Sequence, residues 1–293
     1  MIPRAYLDAW SAQAPWPDLR LVEQDLIICR ALCDLFNAPA LHGGIAFRGG
    51  TAIHKLLFQR PLRYSEDIDL VQRVPGPIGP TIDAVRDALS WMGKCSREQA
   101  GHSVHLTFKF VPETDTQSTL KLKVEINTRE HQGLLGIRHY PFRVESDWYQ
   151  GRTEIASFEP EELFGTKLRA FLQRRKGRDL FDLAQGLAQM QLDADKLVAS
   201  FEHYLALEGQ SITRAVAEQR MLEKLSRSLT EDVIRLLPAG VHFTEDEALK
   251  AFERVWSELV ARLSGNGWKS AAKLIAELHT KKFPTLLQGS FLE

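Results

Sequence analysis

Two aspartates one residue apart, Asp67 and Asp69, stand in the run Asp67-Ile68-Asp69-Leu70. In an extended strand, residues i and i+2 share a face. Both carboxylates then project together, while Ile68 and Leu70 turn to the core. At about 4 Å and an effective dielectric near 20, two such charges repel by about 4 kcal/mol. A hard divalent cation such as Mg²⁺ is the natural compensation. Just upstream, Phe47-Arg48-Gly49-Gly50-Thr51 sets a glycine turn at the start of a helix expected to run through Ala52 to Phe58. The first amides of a helix form an anion site suited to phosphate. A phosphate cradle beside a metal-binding acid pair is what nucleotide-dependent phosphoryl transfer requires. Taken alone, Asp-x-Asp also describes a solvated strand end or turn acids that cap amides. The adjoining Gly-Gly-Thr favours the chemical reading.

Three further features bear on that chemistry. Glu125 falls on the polar side of the alternating segment Leu120–Asn127 and supplies a third carboxylate. Three inward carboxylates can hold two Mg²⁺ ions, or one catalytic ion plus one on a triphosphate. Lys167 opens a basic stretch that continues with Arg169, Arg174, Arg175, Lys176 and Arg178. It reads either as a solvated charged helix or as a triphosphate grip at Lys167 followed by an RNA-backbone contact. Asp179 and Asp182 suit a helix cap or pairs with Arg174 and Arg178. Ser65 precedes Asp67 by two residues. A continuous strand would put its hydroxyl on the acid face, where it bonds a phosphate or the local turn, or is a site for silencing modification. His42, His54, His105 and His139 show no metal-ligand spacing, and the motifs GxSxG, HExxH and GxxxxGK[ST] are absent.

Periodicity places these residues on elements. An amphipathic helix is expected over 19–36, a short strand over Ile45–Phe47, and an acidic strand from Asp67 to Val74. After the Pro75–Pro80 breaker, Thr81 suits a helix N-cap. Strands follow at 104–110 and 120–127. From about residue 157 the pattern becomes helical. One helix is expected from Pro160 to about Arg175, closed by Gly177. Others are expected over 179–190, 196–207, 214–236 and 245–263. The best division is residues 1–155 and 156–293.

The 293 residues, 44% hydrophobic and 26% charged, have the composition of a globular protein with one large or two ordinary domains. A net charge of -1 excludes a uniformly basic nucleic-acid binder, so any such surface must be local. Cys29, Cys33 and Cys95 form neither a CxxC pair nor an even framework, as expected of reduced thiols. No apolar run suits a signal peptide or a membrane span. The expected location is the cytoplasm.

Four segments together resemble the AbiEii/AbiGii-type nucleotidyltransferase toxins of the DNA polymerase β-like superfamily. They are Phe47-Arg48-Gly49-Gly50-Thr51-Ala52, Arg63-x-Ser65-Glu66-Asp67-Ile68-Asp69-Leu70, Lys123-Val124-Glu125-Ile126, and Lys167-x-x-Ala170 running into Arg178-Asp179-Leu180-Phe181-Asp182-Leu183. The resemblance spans roughly 40–190. It implies an α+β fold, with a mixed nucleotidyltransferase sheet flanked by helices and a helical C-terminal domain completing the cleft. It implies an NTP donor, Mg²⁺, pyrophosphate release, and an RNA acceptor such as a tRNA 3′ end. It also implies a separately encoded antitoxin. Carried over to this chain, Asp67 and Asp69 match the metal pair, Glu125 the third acid, and Lys167 and Asp179 the later motif positions. Arg48, Gly49, Gly50, Thr51 and Ser65 fall at the nucleotide. Thr51 stands where the wider superfamily commonly has Ser and keeps the hydroxyl. A protein-nucleotidylating enzyme would have the same site with another acceptor. A non-catalytic binding protein of the same fold would be expected to have lost the acid pair.

Overall fold

Strand alternation builds the first part of the chain and helical periodicity the second. The structure, a computed structural model, describes residues 2–287. The chain divides into two compact units, Met1–Glu159 with Leu236–Val241, and Pro160–Arg235 with His242–Glu293. The compositional boundary at 155/156 falls inside the last strand of the first unit.

The first unit opens with helices α1 (Arg4–Trp10) and α2 (Leu19–Asn37). Asp18 caps α2 by accepting the Arg20 amide at 2.9 Å. Strand β1 (Ile45–Arg48) runs into helix α3 (Gly49–Ala52), which widens into a π-turn over Ile53–Leu57. The expected helix is therefore two short pieces that stop before Phe58. Then come β2 (Asp67–Gln72), α4 (Gly79–Ala88), β3 (Cys95–Ala100), β4 (Ser103–Phe110), β5 (Leu120–Asn127), β6 (Ile137–Glu145) and β7 (Gln150–Phe158). They form a mixed seven-stranded sheet in the order β3-β4-β5-β2-β1-β7-β6. The expected α+β mixed-sheet architecture is thus borne out. Strand β2 runs antiparallel to β1 and parallel to β5.

One face of this sheet packs into the core. Ile68, Leu70, Leu106, Phe108, Leu122, Val124 and Ile126 are buried with Leu26, Leu32 and Leu35 of α2. The opposite positions carry the polar residues, so the pleat that buries Ile68 and Leu70 turns Asp67 and Asp69 outward. Two expected boundaries shift for local reasons. Helix α4 begins at Gly79 with Pro80 in its first turn, so Thr81 lies inside it rather than capping it. Strand β2 ends at Gln72, before the proline-rich breaker.

The second unit contains α5 (Pro160–Gln173), α6 (Gly177–Gln189), α7 (Ala194–Leu207), α8 (Arg214–Lys224), α9 (Glu231–Ile234), α10 (Glu245–Glu258) and α11 (Ala271–Lys281). Gly177 opens α6 rather than closing α5. A Cβ there would lie 2.0 Å from the Leu229 carbonyl oxygen, so close packing demands the glycine. The expected 214–236 helix is broken between α8 and α9. A capping box between Thr244 and Glu247 starts α10. Among the described residues, no helix is long and apolar enough to cross a membrane.

A buried charge anchors the first unit. The Asp25 carboxylate accepts from Trp10 Nε1 at 3.0 Å and Trp16 Nε1 at 3.3 Å, and pairs with Lys55 Nζ at 2.6 Å. Asp25→Ala leaves the Lys55 ammonium buried without its carboxylate. The expected loss is about 3–5 kcal/mol of stability, read as a lower urea midpoint.

Candidate active site

The β2–β5 register brings the three acids together. Asp69 lies opposite Glu125, and Asp67 lies opposite Lys123. His105 of β4 lies across from Glu125, and Arg48 of β1 across from Asp69. All are on the sheet face away from α2. Burial pushes the Asp69 carboxyl up to about 6, helped by the nearby charges of Glu125 and Asp67 and only partly offset by Arg48 and Lys123.

The glycine turn passes directly over this carboxylate. Gly49 has φ +80°, and a Cβ placed on it would stand 1.9 Å from Asp69 Oδ2. Both the backbone conformation and the clearance exclude a side chain there. The Thr51 hydroxyl bonds the Asp67 carbonyl oxygen and lies 2.9 Å from the Ser65 hydroxyl. Having one proton, Thr51 donates to the carbonyl and accepts from Ser65. Ser65 precedes β2 instead of continuing it, so strand alternation does not govern its direction. Its hydroxyl faces Thr51, as the local-turn reading expects. Arg48 forms an ion pair with Glu130, which Asn127 also holds through its side-chain oxygen and the Glu130 amide at 2.8 Å.

Lys123 is the one strong cation among the acids that sequence reasoning passed over. Its Nζ lies 3.3 Å from Asp67 Oδ2 and 3.5 Å from Glu125 Oε2. Burial alone would lower its proton affinity, but the attraction of Asp67 and Glu125 prevails and holds it above the ordinary lysine value. His105 Nε2 adds a contact of 3.2 Å to Glu125 Oε2. Both residues were legible, since Lys123 shares the alternation phase of Glu125. Among the described residues, no three Asp, Glu, His or Cys side chains already converge as a metal-ligand set. The donors nonetheless suit a hard cation: they are carboxylate oxygens on one sheet face, and the charges of Glu125 and Asp67 help to raise the proton affinity of Asp69.

The later motif residues meet in the second unit. Lys167 Nζ lies 3.2 Å from Asp179 Oδ1 and 3.0 Å from Asp182 Oδ2. Arg174 forks onto Asp179, with Nε at 2.7 Å and Nη2 at 2.9 Å. Burial would raise the Asp179 carboxyl, but Lys167 and Arg174 outweigh it and hold it below the usual range. Lys167 is therefore buried with its ammonium shared by two carboxylates, not presented as a free phosphate grip. The expected basic cluster also divides. Arg169 reaches the Tyr204 carbonyl and Glu208, and Arg174 is committed to Asp179. Arg175 and Lys176 are exposed, and Arg178 is half-buried. Lys224, unremarked in the sequence, donates to the Arg174 carbonyl at 2.7 Å. Burial, with Arg175 nearby, pushes its ammonium down to about 8.

Two expectations follow from these charges. A carboxyl at about 6 in the folded state against 3.8 in the unfolded chain is more protonated when folded. Stability from it is full below pH 3.8 and is lost as pH rises to 6. The loss is at most about 3 kcal/mol. In chelator, Asp69→Asn should be more stable than wild type above pH 6 and equal to it below about pH 4. Urea unfolding across that range measures the difference. Lys167→Ala should cost about 3–5 kcal/mol, because it removes the ammonium shared by two buried carboxylates. A solvated helix lysine would leave the melting temperature unchanged.

Comparison with known proteins bears on the fold and the family. The fold is shared with MenT4, a nucleotidyltransferase toxin of Mycobacterium tuberculosis, at a TM-score of 0.63 and 16% identity over 98% of each chain. JHP933 of Helicobacter pylori aligns at a TM-score of 0.52 and 16% identity, covering 89% of this chain and 95% of its own. No curated protein matches the sequence significantly. The profile of the AbiEii nucleotidyltransferase toxin family, a type IV toxin–antitoxin system, matches residues 30–262. The chain therefore belongs to the AbiEii family and is a nucleotidyltransferase toxin, with an NTP as substrate and an antitoxin as partner.

Proposed function

We propose that this chain moves a nucleoside monophosphate from an NTP to a hydroxyl of an RNA acceptor, the 3′ end of a tRNA. The observation that carries this reading is the placement of Asp67, Asp69 and Glu125 on one sheet face, with the Gly49 turn against Asp69. These three acids would hold Mg²⁺, which would neutralise the triphosphate and ease ionisation of the acceptor hydroxyl. The amides of Gly49 and Gly50 face the phosphates, with Arg48, Thr51 and Ser65 shaping the turn beside them. The acceptor oxygen bonds the α-phosphorus as the bond from that phosphorus to the bridging oxygen breaks. Pyrophosphate leaves with the electron pair. The acceptor proton passes to a carboxylate of the trio. Lys167 and Asp179 act as a positioning pair at the α5–α6 junction.

A polyanionic acceptor is supported by two lysines on the acid-bearing face. Lys109 lies directly opposite Lys121, and both are exposed. Like charges directly opposite destabilise a strand pair, and a phosphate between them relieves the repulsion. Lys121 stands two residues from Lys123, about 7 Å along the strand. Arg175, Lys176 and Arg178 provide further backbone contacts on the second unit.

The test is incubation with each labelled NTP, Mg²⁺, and purified tRNA or total protein. Label should enter tRNA. Asp67→Ala and Asp69→Ala should each lower transfer at least about a hundredfold, since loss of a metal ligand removes several kcal/mol of transition-state stabilisation. Label entering protein alone would reassign the acceptor. Near wild-type transfer by either variant would overturn the site.

A further inference from the structure

We infer that Lys123 is a tethered stand-in for the divalent cation: its ammonium holds Asp67 and Glu125 in the metal-free enzyme and must leave before a metal can bridge them. The inference rests on the metal-binding role proposed above for the acid trio. Strand register puts Lys123 beside Asp67, and strand alternation puts it on the side of Glu125. The nitrogen stands 3.3 Å from one carboxylate and 3.5 Å from the other. A Mg²⁺ ion takes carboxylate oxygens at about 2.0–2.1 Å. An ion shared by these same oxygens would sit against the ammonium, so the two cations exclude each other.

The surroundings leave Lys123 this task. Arg48 is already paired with Glu130, and His105 touches Glu125 alone among the three acids. Among the described residues, Lys123 is a full cation whose ion pairs join Asp67 and Glu125. Its side chain is 33% exposed, so a flexible four-carbon stem has an open path away from the acids. Once displaced, the ammonium needs an anion, and the triphosphate of the incoming nucleotide supplies one. Metal and nucleotide therefore load together, each favouring the other. In the metal-free enzyme the lysine offsets part of the repulsion that the cation would otherwise neutralise.

The experiment measures Mn²⁺ binding by loss of the free-ion paramagnetic resonance signal, and melting with chelator or Mn²⁺. It compares wild type with Lys123→Met and Lys123→Arg. Without nucleotide, the Met variant should bind Mn²⁺ at least tenfold more tightly than wild type. It should melt lower in chelator and recover fully in saturating Mn²⁺. The Arg variant keeps a cation and should bind Mn²⁺ as weakly as wild type. A non-hydrolysable NTP should tighten Mn²⁺ binding more in wild type than in the Met variant. Lys123→Gln carries the same comparison if the Met variant does not fold. Mn²⁺ binding by the neutral variants no tighter than wild type, or a melting deficit that Mn²⁺ leaves in place, overturns the inference. Failure of every form to bind Mn²⁺, with or without nucleotide, overturns the metal reading as well.

Discussion

Mutual repulsion among three carboxylates is the constraint around which the first unit is arranged. The parallel pairing of β2 with β5 forces Asp69 and Glu125 side by side, and the pleat adds Asp67. The other face of the same strands is buried apolar surface, so a register slip that separated the acids would expose Ile68, Leu70 and Val124. The hydrophobic core therefore holds the acids in an arrangement that electrostatics alone would break. Neighbouring features limit the damage. Lys123 supplies positive charge between Asp67 and Glu125, and His105 adds a further contact to Glu125. Gly49, having no Cβ, lets the turn approach Asp69 closely.

The charged cluster of the second unit follows the opposite logic. Lys167 and Arg174 meet Asp179 and Asp182, so two negative groups face two positive ones in direct contact. Asp179 loses proton affinity where Asp69 gains it. Buried pairs of this kind contribute little net stability but cost heavily when one partner is removed. On the proposed function, that contrast separates a cluster that takes up metal and nucleotide from one that fixes geometry.

Much of this was legible in the sequence, and the failures have physical causes. The Asp67/Asp69 alternation, the Glu125 strand and the Gly-Gly turn needed only period-2 geometry and glycine's conformational freedom. Strands β3, β6 and β7 escaped notice because they lack a clean apolar alternation. β3 is polar on both sides, β6 carries Pro141 at the sheet edge, and β7 begins with Gln150-Gly151-Arg152-Thr153-Glu154. Gly177 looked like a helix stop because its true constraint, the Leu229 carbonyl, is distant in sequence. The basic stretch after Lys167 read as a surface for the same reason. Helical spacing orders residues along one helix, but Asp179 and Asp182 reach Lys167 only because α6 folds back against α5.

The position of Lys123 shows what single-residue motifs conceal. Asp-x-Asp names the residues that carry charge, yet the proton affinity of Asp69 is set first by its burial and then by charges that include those on the neighbouring strands. Lys123 and Glu125 occupy the same side of β5 as consecutive outward residues, so the strand that brings the third negative charge also brings the compensating positive one. Shifting β5 by one residue would remove both together and place Leu122, Val124 and Ile126 against the acids. Acid density and its neutralisation are thus a single property of the β2–β5 pairing. A substitution that keeps all three acids can still change the site if it alters the cation between them.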